Sequence, residues 1–287
     1  MRLIRWMSAS NHRATLSPRL SPRAFLASVV VALLATSSFA IAQDREDTAA
    51  EQQILVLINQ ERSQAGAAPV TLDPRLTAAA LKHCQRMIQA DSLVHQLPGE
   101  DPLILRLVAE GVRSDHDGEN IALNGDVVSA HAALMQSPGH RANVLGPQFN
   151  AVGIAVVVTG ELLYVTEDFA HVLPDFSDFE ADAAAQQAIN DYVRSLHMPL
   201  PVRKARTQLT RMACDLARED KLDATHARNI PGVTSGVAWT ATDLSKLPPG
   251  LRQTLSTPLS AGYSLGVCFA QSATYPGGVY WLLLVTY

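Results

Sequence analysis

The chain has 287 residues, of which 47% are apolar and 17% charged, a composition typical of globular proteins rather than of disordered or multi-pass membrane proteins. Its length accommodates one large or two modest domains. The formal net charge is −4. Five of the basic side chains fall in residues 1–42, which contain no acid, so the remainder carries a net charge of −9. This acidic remainder lacks a basic surface, which excludes nucleic-acid binding.

The first 42 residues have the pattern of an export signal. Five arginines precede an apolar run over residues 24–35, and Ala40, Ile41 and Ala42 supply the small-x-small pattern of a cleavage site. The sequence therefore predicts a signal peptide over residues 1–42 and a secreted or periplasmic mature protein. The alternative is an uncleaved membrane anchor, because the uncharged residues 24–43 are about as long as a bilayer span.

The chain contains three cysteines, Cys84, Cys214 and Cys268. Export permits disulfides, but an odd number leaves at least one cysteine outside any intramolecular pair. Cys214 falls on a predicted helix and Cys268 on a predicted strand of the same segment. We therefore predict that these two pair and that Cys84 stays free.

Residues 51–172 combine helical patterns with a hairpin pattern. Apolar residues recur at helical spacing and Asp-Pro pairs mark helix starts, which predicts helices over residues 51–65, 73–87, 101–109 and 125–136. Two β-branched runs, 152–158 and 162–169, are joined by a T-G-E turn at 159–161, which predicts a hairpin. Helices followed by a hairpin predict an α+β fold. The polar residues 43–50 are predicted to be a disordered lead.

Residues 179–287 repeat the order of patterns of residues 51–172. Four features have counterparts: the Gln-Gln pairs at 52–53 and 186–187, Pro-Val before Leu-Thr at 69–77 and 201–210, S-P-G-H-R at 137–141 with P-P-G-L-R at 248–252, and the strand glycines Gly153 and Gly266. The sequence therefore predicts a shortened, degenerate second copy of the first domain. The alternative is a helical appendage followed by an unrelated hairpin.

Two polar motifs stand out, in a sequence without H-E-x-x-H, G-x-S-x-G or a phosphate-binding loop. The first is G-E-N-I-A at residues 118–122 and the second is S-P-G-H-R-A-N at residues 137–143. His95 lies upstream of both, and the strand Y-V-T-E-D-F at 164–169 lies downstream.

These motifs, in this order, resemble the CAP superfamily of cysteine-rich secretory proteins, antigen 5 and pathogenesis-related 1 proteins, in its shorter bacterial form. The resemblance covers about residues 51–170. It implies an α-β-α sandwich in an extracytoplasmic protein. It also implies a cleft of two histidines and acidic residues, which in some members holds a divalent metal.

By motif position, His95 corresponds to the first histidine of the cleft, Glu119 to its first acid and His140 to its second histidine. Glu167, where the family usually carries Gln, is a further candidate carboxylate. The sequence departs from the family at two more positions, Leu134 where Trp is usual and Ser137 where eukaryotic members carry an acid.

Two interpretations of His95, Glu119 and His140 follow. They are zinc ligand types, and a set of three leaves an open fourth position at which the metal polarises a carbonyl or activates water. Alternatively the motifs are structural, with side chains that satisfy loop carbonyls. Leu251 stands at the His140-like position of the second copy, so we expect that unit to lack the site. Three further histidines are expected on helix surfaces or in loops, namely His83, His116 and His131.

Three functional hypotheses remain open at the level of sequence, because one fold supports many functions. The leading one is an exported protein that binds a lipid, an envelope glycan or a small apolar molecule at the His/Glu cleft. The first alternative is a metal-dependent extracytoplasmic hydrolase. The second is an envelope structural or interaction protein whose second unit docks another envelope protein.

Overall fold

The computed structural model describes residues 44–287. The predicted signal peptide, its cleavage site and the alternative membrane anchor lie outside the described residues. Within the described part of the chain, no helix combines the length and the apolar character needed to cross a membrane.

The N-terminal unit, residues 44–172, contains five helices and five strands among the described residues. The helices are α1 (Thr48–Gln64), α2 (Pro74–Gln89), α3 (Leu103–Ala109), α4 (Val127–Gln136) and α5 (Pro138–Leu145). The strands are β1 (Arg45–Glu46), β2 (Thr71–Leu72), β3 (Ser114–Asn124), β4 (Ala151–Thr159) and β5 (Leu162–Val172). As the Asp-Pro pair predicts, Asp73 caps α2 by accepting the backbone N–H of Arg75 at 2.8 Å. Strands β4 and β5 form the predicted hairpin.

The strands form one sheet in the order β1-β4-β5-β3, with β2 parallel to β4. Side chains alternate between the two faces of a sheet, so each strand contributes to two cores. One face packs against α1, α4 and α5, and the other against α2 and α3. The N-terminal unit is therefore an α-β-α sandwich, which confirms the predicted α+β class. Strand β3 lies at an edge of the sheet, where both helical layers can reach it.

One local prediction for this unit is wrong, and two of its elements were not predicted. Residues 44–50 are not a disordered lead, because β1 pairs with β4 and α1 already begins at Thr48. The strand over residues 114–124 was not predicted, because their polar sequence shows little of the apolar alternation typical of strands. Helix α5 was not predicted either: a single extended residue, Ser137, follows α4, and Pro138 starts α5.

The C-terminal unit, residues 178–287, also combines helices with a sheet. Its elements are α6 (Asp178–Ser195), α7 (Gln208–Arg218), a short 3-10 helix (Thr225–Asn229), β6 (Ser235–Ala241), α8 (Pro249–Leu255), β7 (Tyr263–Ala270) and β8 (Val279–Thr286). The strands pair in the order β6-β8-β7. Cys214 on α7 and Cys268 on β7 form a disulfide, while Cys84 is free and buried, which confirms the predicted pairing.

Side chains of the C-terminal unit contact both the N-terminal unit and the segment that joins the two units. The guanidinium of Arg113 lies 4.3 Å from the ring centroid of Phe269. The hydroxyl of Tyr280 donates to the backbone oxygen of Pro174 at 3.3 Å. The first contact holds the start of β3 against the C-terminal unit, and the second holds the segment that follows β5.

Candidate ligand-binding cleft

Three residues singled out by the motifs meet at the edge strand β3. Glu119 lies on β3, His95 on the segment between α2 and α3, and His140 on α5. Nδ1 of His95 donates to Oε1 of Glu119 at 2.9 Å, and the ring centroids of His95 and His140 are 5.7 Å apart. We call these three residues the cleft cluster. His95 is more than half exposed and His140 half-buried, so the cluster is open to solvent.

The environment of the cleft cluster acts on its second histidine. Burial, followed by the neighbouring ring of His95, lowers the pKa of His140. His140 is therefore neutral at physiological pH, and its imidazole can both donate and accept a hydrogen bond.

Arg106 on α3 completes the cleft and was not identified from the sequence. Its Nη2 donates to Oε2 of Glu119 at 2.6 Å, and the same nitrogen lies 3.4 Å from the backbone oxygen of His95. The Arg106 side chain is 9% exposed, and its Nε and Nη1 are buried without a hydrogen-bond partner. The cleft thus holds a nearly buried guanidinium with unused donors beside two histidines.

A second carboxyl group lies behind Glu119 in the sheet. Asp168 on β5 stands opposite Glu119 in the antiparallel register and is fully buried. Burial, followed by the negative charge of Glu119, raises the pKa of Asp168 well above its usual range. Burial beside Glu119 thus favours the neutral form of Asp168, while Arg106 offsets the negative charge of Glu119.

Two asparagines of the motifs hold α5 against β3. Asn120 donates to the backbone oxygen of His140 at 3.2 Å. Asn143 donates to the backbone oxygen of Glu119 at 3.1 Å and to the side-chain oxygen of Asn120 at 2.9 Å. His140 belongs to the helical layer on one face of the sheet, and the side chain of Glu119 points to the other face. These bonds bring the two residues together at the edge strand β3.

A buried arginine fixes the far end of α5. Arg62 on α1 is fully buried and donates to four backbone oxygens, those of Ala68, Val144, Gly146 and Phe149, at 2.7–3.0 Å. Two of these carbonyls, of Val144 and Gly146, lie at the C-terminal end of α5, where the helix dipole favours a cation. Arg62 therefore positions the helix that carries His140.

Glu167 is not part of the cleft cluster. Neighbouring residues of a strand point to opposite faces of the sheet, so Glu167 lies on the face opposite to Asp168 and Glu119. There it is fully buried and accepts a hydrogen bond from Asn120 at 2.9 Å. Burial raises the pKa of Glu167 to about 7. Its position supports the packing of α5 rather than contact with a ligand in the cleft.

The cleft cluster does not fit a divalent metal. Both oxygens of Glu119 already have partners, His95 and the guanidinium of Arg106, and this fixed positive charge repels a cation. Among the described residues, only Asp115, His116 and His171 bring three ligating atoms within 4.8 Å of one another. The predicted metal set of His95, Glu119 and His140 is therefore brought together as a polar cluster but not as a coordination shell.

Two histidines expected on the surface are buried instead. His83 on α2 is fully buried and bridges Oε1 of Glu100, at 3.0 Å, to the backbone oxygen of Val94, at 3.1 Å. It therefore anchors the segment that carries His95. His131 on α4 is also buried, both its ring nitrogens lack a partner, and burial lowers its pKa.

Comparison with known proteins agrees with this geometry. A family model described as the cysteine-rich secretory protein family, CAP, matches residues 55–169. This segment of the chain, residues 55–169, is therefore a CAP domain. The matched segment contains all three residues of the cleft cluster and both asparagines that hold α5.

Three relatives show how much of the chain this similarity covers. The uncharacterized protein YkwD of Bacillus subtilis (strain 168) is 31% identical over 119 residues, which are 40% of this chain and 45% of that protein. An extracellular SCP-domain protein from Bacillus anthracis strain Ames is 30% identical, with a TM-score of 0.40 over 42% of this chain and 40% of that chain. A cysteine-rich secretory protein from Staphylococcus aureus is 18% identical, with a TM-score of 0.36 over 43% of this chain and 39% of that chain. The chain thus spans less than half the length of each.

Proposed function

We propose that this chain is an extracytoplasmic CAP-domain protein that binds a glycan of the cell envelope at the cleft cluster. Two observations support the compartment. The leader over residues 1–42 has the pattern of an export signal. The disulfide between Cys214 and Cys268 is of a kind that persists in oxidising compartments and is rare in the cytosol.

The polarity of the cleft favours a glycan over a lipid or a small apolar molecule. Sites for apolar ligands are lined mainly by apolar and aromatic side chains. The cleft instead presents the two imidazoles of His95 and His140 beside the ion pair of Glu119 and Arg106. Such groups match the hydroxyl and amide groups of a sugar, which both donate and accept hydrogen bonds.

The position of Arg106 favours ligand binding over metal-dependent hydrolysis as the function of the cleft. Its guanidinium occupies Oε2 of Glu119 at 2.6 Å, so that carboxylate is engaged before any metal or water approaches. The same ion pair keeps the cleft preorganised, which reduces the ordering that a ligand must impose on binding. The hydrolase alternative thus has no support from this cleft.

Calorimetric titration of soluble peptidoglycan fragments into the full chain tests the proposal. We expect saturable binding that a chelator does not change. His140→Ala should weaken it, since the cleft loses one of its hydrogen-bonding rings, whereas the exposed His226→Ala should not. Unchanged affinity of His140→Ala, or absence of binding, would contradict the proposal. Loss of binding in chelator would instead favour the hydrolase, and binding to anionic phospholipid vesicles alone would favour a lipid ligand.

We also propose that the C-terminal unit is a degenerate second copy of the CAP domain. Its strand order β6-β8-β7 matches the order β3-β5-β4 of the N-terminal unit. A parallel bridge joins Arg203 to Tyr263, as β2 joins β4 in the first unit. The helix α8 begins at Pro249, and Leu251 is buried in the core at the position that corresponds to His140.

Two glycines support the same proposal, because each allows a helix to approach a strand in the same way. A Cβ atom on Gly153 of β4 would lie 2.0 Å from the backbone carbon of Leu76 on α2. A Cβ atom on Gly266 of β7 would lie 2.2 Å from the backbone carbon of Leu209 on α7. The contacted leucine is followed by a threonine in both units, Thr77 and Thr210. In this proposal the C-terminal unit, without the cleft residues, serves packing and partner contacts.

A further inference from the structure

A β-bulge in β3 brings Asp115 and His116 opposite His171 on β5. The regular pairing of β3 with β5 is interrupted between Ser114 and Asp117, so that two residues of β3 face one residue of β5. Such two-against-one bulges re-aim side chains and are frequent next to functional sites. We call Asp115, His116 and His171 the bulge cluster. Its members are placed by paired strands, not by a loop.

The ligating atoms of the bulge cluster converge on one point. Nδ1 of His171 lies 2.5 Å and Nδ1 of His116 lies 3.1 Å from the same oxygen, Oδ1 of Asp115. All three ligating atoms lie within 4.8 Å of one another. A tetrahedral zinc ion, with bonds of about 2.0–2.1 Å, needs ligand atoms about 3.3 Å apart. Small rotations of exposed side chains are enough to reach that spacing.

The bulge cluster is not part of a core. The side chains of His116 and His171 are 58% and 38% exposed, and ion pairs at such positions contribute little to stability.

The bulge cluster borders a cavity between the two units. Asp115 and His171 line a space of about 1150 Å³, and residues of the C-terminal unit, including Lys246 and Arg252, line it as well. A cavity of this size accommodates a small molecule.

We propose that the bulge cluster binds one zinc ion through Asp115, His116 and His171. Two imidazoles and one carboxylate suit zinc, whereas calcium and magnesium prefer oxygen ligands alone. Three protein ligands leave one coordination position, which takes water or an oxygen of a small molecule in the cavity. This site shares no residue with the cleft cluster.

Calorimetric titration of zinc chloride into chelator-stripped, tag-free full chain tests the proposal. We expect one zinc ion per chain and no comparable binding of magnesium. His171→Ala and Asp115→Asn each alter a proposed ligand. Replacing a residue that only supports a ligand weakens metal binding roughly 10–100-fold, so each of these substitutions should weaken zinc binding by more than that. His226→Ala, which removes an exposed histidine elsewhere, should bind zinc like the wild type. Acidification should weaken binding, because a protonated imidazole cannot ligate a metal.

His140→Ala separates the bulge cluster from the cleft cluster, and it should retain the wild-type affinity for zinc. Thermal unfolding in chelator should give the wild-type midpoint for His171→Ala, Asp115→Asn and His226→Ala, which shows that these substitutions leave the fold intact. The proposal is overturned by undiminished zinc binding in His171→Ala, by loss of zinc in His140→Ala instead, or by a wild type that binds no zinc.

Discussion

Arg106 and Glu119 form an ion pair at the centre of the CAP cleft, with Nη2 of the arginine 2.6 Å from Oε2 of the glutamate. This pair decides the chemistry of the cleft cluster. It supplies the positive charge that a metal would otherwise bring, and it lies next to the fully buried Asp168. The cleft is therefore organised for hydrogen bonding to a polar ligand.

Removing the arginine should destabilise the CAP domain. In Arg106→Met the buried carboxyl groups of Glu119 and Asp168 lose their cation, and breaking a buried pair in this way costs about 3–5 kcal/mol. Denaturant unfolding measures the loss. The matched control is Lys82→Met, which breaks the exposed pair with Glu110 and should cost less than about 1 kcal/mol. Equal effects of the two substitutions would contradict the role given to Arg106.

Replacing Arg62 should loosen α5 and with it His140. Arg62→Met leaves three buried carbonyls, those of Val144, Gly146 and Phe149, without their donor, so we expect a loss of roughly 3–5 kcal/mol in the free energy of unfolding. Arg228→Met, at an exposed site, should change stability by less than about 0.5 kcal/mol. A variant of Arg62 with wild-type stability would show that the buried guanidinium is dispensable.

Glu167 should make stability depend on pH near neutrality. Its pKa is raised from 4.5 to about 7, so the folded protein holds the proton more tightly than the unfolded chain does. The stabilisation is complete below about pH 4.5 and is lost as pH rises through about 7, by about 3 kcal/mol in total. Glu167→Gln should therefore match the wild type at pH 4.5 and exceed its stability at pH 8.

Denaturant unfolding at both pH values measures this difference. The exposed Glu161→Gln on the hairpin turn is the control and should follow the wild type at both. If Glu167→Gln is no more stable than the wild type at pH 8, burial does not raise the pKa of Glu167.

The two units should respond in parallel to alanine at their strand glycines. Gly153→Ala and Gly266→Ala each force a helix backbone away from its strand, because the new Cβ would lie within 2.0–2.2 Å of it. We expect each to cost at least about 3 kcal/mol. Gly139 and Gly250, the paired glycines of α5 and α8, have nothing within 4 Å. Alanine there should be neutral or stabilising by up to about 1 kcal/mol. Calorimetric melting of the four variants compares the units directly, and a harmless Gly266→Ala would contradict their equivalence.

Elements with strong apolar patterns could be predicted from the sequence, and weakly patterned ones could not. The helix α2 and the β4–β5 hairpin were found because their apolar residues recur at the spacing of a helix or strand. Strand β3 was missed because its first seven residues, S-D-H-D-G-E-N, contain no apolar side chain. Edge strands tolerate such sequences because only one side of the backbone is paired. His83 shows the opposite error. It falls on the apolar stripe of α2, between Ala80 and Met87, so its position on the helix, rather than its polarity, determines its burial.

The candidate cleft could be predicted only as far as its motifs reach. Sequence motifs located His95, Glu119 and His140, because each lies in or near a recognisable pattern. Arg106 carries no local signal, since only the packing of α3 on the sheet brings it to Glu119. The bulge cluster is even harder to predict from the sequence, because Asp115 and His171 are 56 residues apart and meet only through the register of two paired strands.

The most direct test of the binding proposal is to observe the histidine rings while the ligand is added. In nuclear magnetic resonance spectra of the full chain, titration with soluble peptidoglycan fragments should shift the imidazole signals of His95 and His140. The signal of His226, exposed in the C-terminal unit, should not move. Shifts confined to His116 and His171, or no shift of any imidazole signal at saturating fragment concentrations, would contradict the assignment of the cleft cluster as the glycan site.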